Sequence, residues 1–204
     1  MPGRKNEIIQ FVNRKIEYIM AISESGEGKA TLARLRKGIG RVPGEIPEVL
    51  GILLVDMPED FMSKTGKPTK EEWACYTALT LFAMHQQGND VRKIPMNIND
   101  NISMGIAMSN LVLAEGDSNA KERMAVKLQM LSSAKDIKEF AYHLKSVIQL
   151  LKSKSIPLNY ALLAGDIFEY QFPEKKSALF LRWGQDFYRN KKAEIKNEEE
   201  KNNE

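Results

Sequence analysis

The chain has 204 residues, 43% of them hydrophobic and 28% charged, with a formal net charge of +3. That is enough apolar material for one large or two small cores, and the mixture is ordinary for a water-soluble globular protein. One cysteine excludes an internal disulfide and fits a reducing cytosol. The lack of any run near 18 apolar residues predicts no membrane span.

In chain order, helical periodicity dominates. The N-terminus, Met1 to Gln10, is polar and carries no apolar signal core. Ile8, Ile9, Val12, Ile16, Ile19 and Met20 fall on one stripe of a first helix that ends before Ser23-Glu24-Ser25-Gly26. Residues 29–41 then read Lys-Ala-Thr-Leu-Ala-Arg-Leu-Arg-Lys-Gly-Ile-Gly-Arg, five cations and no acid in thirteen positions. Good helix formers run from Ala30 to Lys37, and Gly38 stands where a helix end favours a left-handed residue. At 100° per residue Leu32 and Leu35 share one stripe. Lys29, Arg34, Arg36 and Lys37 spread over the opposite arc, with Ala30 and Ala33 in its middle. Such an arc suits an extended polyanion, and it equally suits a solvated helix face.

Residues 45–55 are short and apolar, a buried helix in preference to a strand. Thr69-x-x-Glu72 reads as a capping box, and from Trp73 to Met84 the next helix is apolar nearly all round, which predicts the centre of the fold. Residues 88–101 carry turn residues without a period. Ser103 caps a helix to Ala114, and Ser118 to Leu131 forms another. Ile137, Phe140, Leu144, Val147, Ile148 and Leu151 mark the next, which Pro157 stops. Leu158 to Tyr170 and Pro173 to Lys191 complete a second helical group, with Pro173 in the favoured first turn. The expected fold is all-α, two packed helical groups (1–114 and 115–191) with about eight or nine helices. The charged ending 192–204 is expected to be disordered.

The catalytic readings fare poorly. Gly26-Glu27-Gly28-Lys29-Ala30-Thr31 is only superficially a phosphate loop: Ser23 replaces the first glycine, Ala30 follows the lysine, and a helix precedes it. One cysteine and two histidines do not make a structural zinc site, and no cofactor is expected. His85 and His143 suit packing or capping better than acid–base work. Asp56, Glu59 and Asp60 form the tightest acid cluster; around Pro58 they suit a turn and a helix start better than a magnesium site. Trp73, Tyr76 and Phe82 sit among apolar neighbours, as core residues do.

Longer strings carry a family likeness. Ala30–Gly38, Arg41-x-Pro43-Gly44-Glu45 and Glu72–Gly88 resemble, in order and spacing, the CasB family. That family is the small subunit of Cascade, the type I-E CRISPR surveillance complex. The likeness is looser in the C-terminal half, through His143-Leu144-Lys145, Leu158-x-Tyr160-Ala161-x-Leu163-x-x-Asp166 and Arg182-Trp183-Gly184-x-Asp186-Phe187-Tyr188. The resemblance implies a non-catalytic, all-helical cytoplasmic protein acting in antiviral defence. It implies pairing with a second copy of itself, and contact with the large subunit and the guide-RNA backbone subunits. It also implies a basic surface that stabilises opened target DNA, chiefly the displaced strand, while guide RNA chooses the sequence. The residues carried over are Arg34, Arg36, Lys37 and Arg41, with Lys29 just before them. The family's arginine-rich helix corresponds to residues 121–131, which here hold only Lys121, Arg123 and Lys127. A stand-alone helical repressor is the alternative. It would require polar side chains aimed at base edges, and the basic helix offers alanines and cations instead. A metal-dependent nuclease would rest on the Asp56/Glu59/Asp60 cluster alone.

Overall fold

The computed structural model describes residues 2–189; the charged ending expected at 192–204 lies outside them. Nine α-helices follow one another: α1 (Pro2–Ile22), α2 (Gly26–Lys37), α3 (Pro47–Leu54), α4 (Lys70–His85), α5 (Met104–Glu115), α6 (Ala120–Ser133), α7 (Ile137–Ser153), α8 (Tyr160–Tyr170) and α9 (Pro173–Arg189). A single 3-10 turn covers Glu59–Phe61. The described residues form no sheet, only one isolated parallel bridge between Asn97 and Leu158.

α4 is the axis. Its capping box forms in full: Thr69 Oγ1 accepts the Glu72 amide at 3.0 Å, and the Glu72 carboxylate accepts the Thr69 amide at 2.7 Å. Every residue from Ala74 to His85 is buried, because α8, α2, α7 and α1 all pack on it. Trp73, one turn in, is half-buried. α8 lies in the second half of the sequence yet packs mainly on α4 and α1, so one core runs through both halves of the chain. α5 packs on α9. There Gly105 permits close approach: a Cβ at this position would lie 2.1 Å from the Trp183 carbonyl oxygen.

A charged cluster ties α1, α8 and α9 together. Asp166, 5% exposed, accepts Lys5 Nζ at 3.1 Å and Arg182 at 2.5 Å on one oxygen, and Trp183 Nε1 at 2.8 Å on the other. Lys5 also reaches Glu169 at 2.7 Å. A buried carboxylate with two charged donors and an indole N–H is held in one orientation, and removing it leaves the indole unpaired and the two cations with Glu169 alone.

Two local expectations are corrected. Residues 47–54 do form a helix, but α3 is not buried: only Val49 and Leu53 are, and Gly51 and Val55 face solvent. Gly38 is not left-handed; its φ is −78°, and the positive φ of 76° belongs to Gly40. Glycine at 38 answers a steric demand instead, since a Cβ there would lie 2.6 Å from the Tyr76 hydroxyl. The unpatterned stretch after α4 is also pinned from within. Gln86 Nε2 donates to the Asn89 and Ile94 carbonyls at 3.1 Å, its Oε1 accepts the Met96 amide at 2.8 Å, and Asn97 Oδ1 accepts the Tyr160 amide at 3.0 Å.

Candidate nucleic-acid interface

α2 begins four residues before Ala30, because Ser25 caps it: the Ser25 hydroxyl accepts the Gly28 amide at 3.0 Å. Lys29 is therefore part of the helix and not a prelude to it. Gly28, Thr31, Leu32 and Leu35 form the buried face against α1 and α4. On the opposite arc Lys29, Ala33, Arg34 and Lys37 are exposed and Ala30 and Arg36 half-buried; Arg41 is exposed just past the helix end. The small side chains of exposed Ala33 and half-buried Ala30 leave the backbone open between the cations.

Four of the five cations divide among three surroundings. Lys29 and Arg36 line a groove against the loop 86–91. Arg34 lines a larger groove, about 810 Å³, between α1, α2 and α3. Arg41 lines a small cavity with Tyr76 and Lys138 of α7. Lys37 alone among the five has an ion pair within the described residues, with Glu48 of α3 at 2.7 Å. That contact, helped by the charge of Arg34, holds the Glu48 carboxyl below its usual value. Both partners are more than half exposed, and such pairs exchange readily for a phosphate. The other four form no ion pair among the described residues, although Arg34 shares its groove with Glu27, Glu48 and Asp56.

Arg123 and Lys127 of α6 are differently placed. Arg123 spans Glu115 at 2.5 Å and Asp117 at 2.6 Å, and these two carboxylates raise its pKa further. Lys127 Nζ donates to Ser146 Oγ at 3.1 Å. Both are already engaged within the fold. Periodicity alone does not reveal Lys138 and Lys152, which α7 brings beside Arg41 and Arg36.

The residues considered for catalysis are placed otherwise. His85 is wholly buried, its Nδ1 2.8 Å from the Tyr160 hydroxyl, and burial with the nearby Lys152 charge lowers its pKa to about 4. His143 lies 3.8 Å from Glu139 on its own helix. Asp60 pairs with Arg4, Asp56 sits in a turn with φ of 55°, and Glu59 opens the 3-10 turn. Cys75 is buried and its thiol pushed up, away from the reactive thiolate. Among the described residues no three His, Cys, Asp or Glu side chains are grouped to hold a metal. No described helix is long and apolar enough to cross a membrane.

Residues 31–188, from the buried face of α2 to the last turn of α9, match the family described as CRISPR-associated protein Cse2. The chain belongs to that family. Its fold is similar to the crystal structure of CasB from Thermobifida fusca, with 25% identity, 89% of this chain and 97% of that chain covered, and a TM-score of 0.71. A chain of a CRISPR RNA-guided surveillance complex matches at 16% identity over 93% and 98%, with a TM-score of 0.66. The crystal structure of M. ruber CasB matches at 20% identity over 89% and 97%, with a TM-score of 0.61. No curated protein sequence matches significantly. The all-helical Cse2 architecture is thus shared along nearly the whole of these chains.

Proposed function

We propose that this Cse2-family chain is a non-catalytic subunit of a type I-E CRISPR surveillance complex, acting in the cytoplasm in antiviral defence. In this reading it bridges the large subunit and the guide-RNA backbone subunits, pairs with a second copy of itself, and steadies target DNA once guide RNA has opened it. The observation that carries the reading is α2. Leu32 and Leu35 hold the helix to the core, while Lys29, Arg34 and Arg36, with Arg41 beyond the helix, lie on the outer side and form no ion pair among the described residues. Cations beside small alanines favour phosphates over base edges, so the contact is indifferent to sequence, as a complex that delegates sequence choice to RNA requires. The kinship with a chain of an RNA-guided surveillance complex supports the same role. Arg123 and Lys127 stand lower in the proposal, since each is already bonded within the fold.

The test is co-expression of the tagged chain with the other subunits and a guide RNA. Recovery of the guide and its subunits with the tag, and displaced-strand reactivity on a matched target, is the expected result. Purification of the tagged chain free of RNA and of every other subunit would overturn it.

A further inference from the structure

The groove beside Lys29 and Arg36 is walled on its far side by the loop 86–91 and contains two acids, Glu24 and Asp90. Both are spoken for. Glu24 pairs with Arg92 at 3.0 Å; Asp90 accepts the Arg92 amide at 2.9 Å and lies 3.9 Å from Lys93 Nζ. The groove's own cations form no ion pair among the described residues. A third cation stands at its end. Lys152, in the last turn of α7, is half-buried, and its ammonium reaches Gln87 Oε1 of the loop at 3.5 Å. Burial holds the Lys152 pKa below the ordinary lysine value, and the charge of Arg36 lowers it further. Arg36 and Gln87 line the same groove and Lys152 bonds Gln87, so the fold brings two like charges from distant parts of the chain to one loop side chain, and neither forms an ion pair with a described carboxylate. An anion between them would relieve both the repulsion and the loss of hydration.

We propose that Arg36 and Lys152, with Lys29 beside them, seat a backbone phosphate of single-stranded DNA, so that the strand leaves α2 at this edge and runs toward the end of α7. This rests on the reading of α2 as a DNA-binding helix and adds Lys152, which no sequence pattern marked, as a binding residue. Gln87 has a positioning part: its side-chain oxygen holds the ammonium at the mouth of the groove.

The test is titration of the full chain with a fluorescent thymidine dodecamer at several salt concentrations, comparing wild type, Lys152→Gln, Lys152→Arg and Arg34→Gln. Each phosphate contact to a single strand adds about 0.7 to the log–log salt slope, which is about fivefold in affinity at 0.1 M salt. Lys152→Gln should lose that much in slope and affinity, and Lys152→Arg should retain both. A second measurement does not depend on variants: bound dodecamer should protect Lys152 of the wild-type chain from acetylation. If Lys152→Gln keeps the full slope while Arg34→Gln loses its share, the phosphate seat is wrong and the DNA-binding reading stands. If neither variant changes the slope, or the wild type does not bind, both fall. Equal acetylation of Lys152 with and without dodecamer also overturns the seat.

Discussion

The cations of α2 and those around Asp166 carry the same charge and stand in opposite situations. Lys5 and Arg182 converge on a buried carboxylate and fasten α1 and α9 to α8. Arg34 and Arg36 project from, and Arg41 just beyond, a helix whose buried face is Gly28, Thr31, Leu32 and Leu35. Positive charge in one region is part of the fold; in the other it is available to something outside. Cation counts along the sequence do not separate the two. Carboxylate partners do, and substitutions should divide along the same line.

The largest effect is expected at Asp166. Replacing it with alanine leaves the buried Trp183 indole N–H without its acceptor and Lys5 and Arg182 with Glu169 alone. A loss of about 3 kcal/mol or more in chemical denaturation is expected. A loss below about 1 kcal/mol would show that the cluster is solvated and the contrast with α2 overstated.

Next comes the pair His85 and Tyr160. Burial lowers the His85 pKa to about 4, against about 6.5 for an accessible histidine, so the unfolded chain takes up the proton more readily. The sign follows: this contribution to stability is complete above about pH 6.5 and is lost as pH falls toward 4. His85→Gln should flatten that part of the pH–stability profile, and an unchanged profile would contradict the buried placement. Tyr160→Phe removes the hydroxyl that meets His85 Nδ1 at 2.8 Å and should cost about 1 to 2 kcal/mol in thermal denaturation.

The smallest effect sharpens the comparison on the DNA side. Arg123 already spans Glu115 and Asp117, so Arg123→Gln should leave the salt dependence of DNA binding unchanged, whereas Arg34→Gln should lower its slope by about 0.7. Equal losses from the two would show that surface pairing does not withhold a cation from DNA.

Much of this was legible in the sequence. The α7 stripe from Ile137 to Leu151, the Thr69–Glu72 capping box and the all-apolar α4 each declare themselves through local spacing. So does the division of α2 into a leucine face and a basic arc. What escaped reading is decided by distant parts of the chain. Glycines at 26 and 28 hid the true start of α2, because propensity disfavours both, while the Ser25 cap starts the helix there and Gly28 packs so tightly on the Ile22 carbonyl that a Cβ would not fit. Gly38 is fixed by Tyr76, a residue 38 positions away, and not by helix termination. Gln86 and Asn97 order a loop that has no periodicity, because their amide groups replace the backbone partners a regular element would supply. Lys152 joins the α2 cations only because α7 packs beside α4, and no spacing rule reports that.

The most direct test of the central claim is the salt dependence of single-stranded DNA binding by a chain in which Arg34, Arg36, Lys37 and Arg41 are all glutamine, measured beside its thermal unfolding. None of the four side chains contributes to the apolar face of α2, so unfolding should shift little, each change being within about 0.5 kcal/mol. The log–log slope should fall in magnitude by about 3, from four lost phosphate contacts at about 0.7 each. A folded variant that keeps the wild-type slope would contradict the assignment of α2 to DNA.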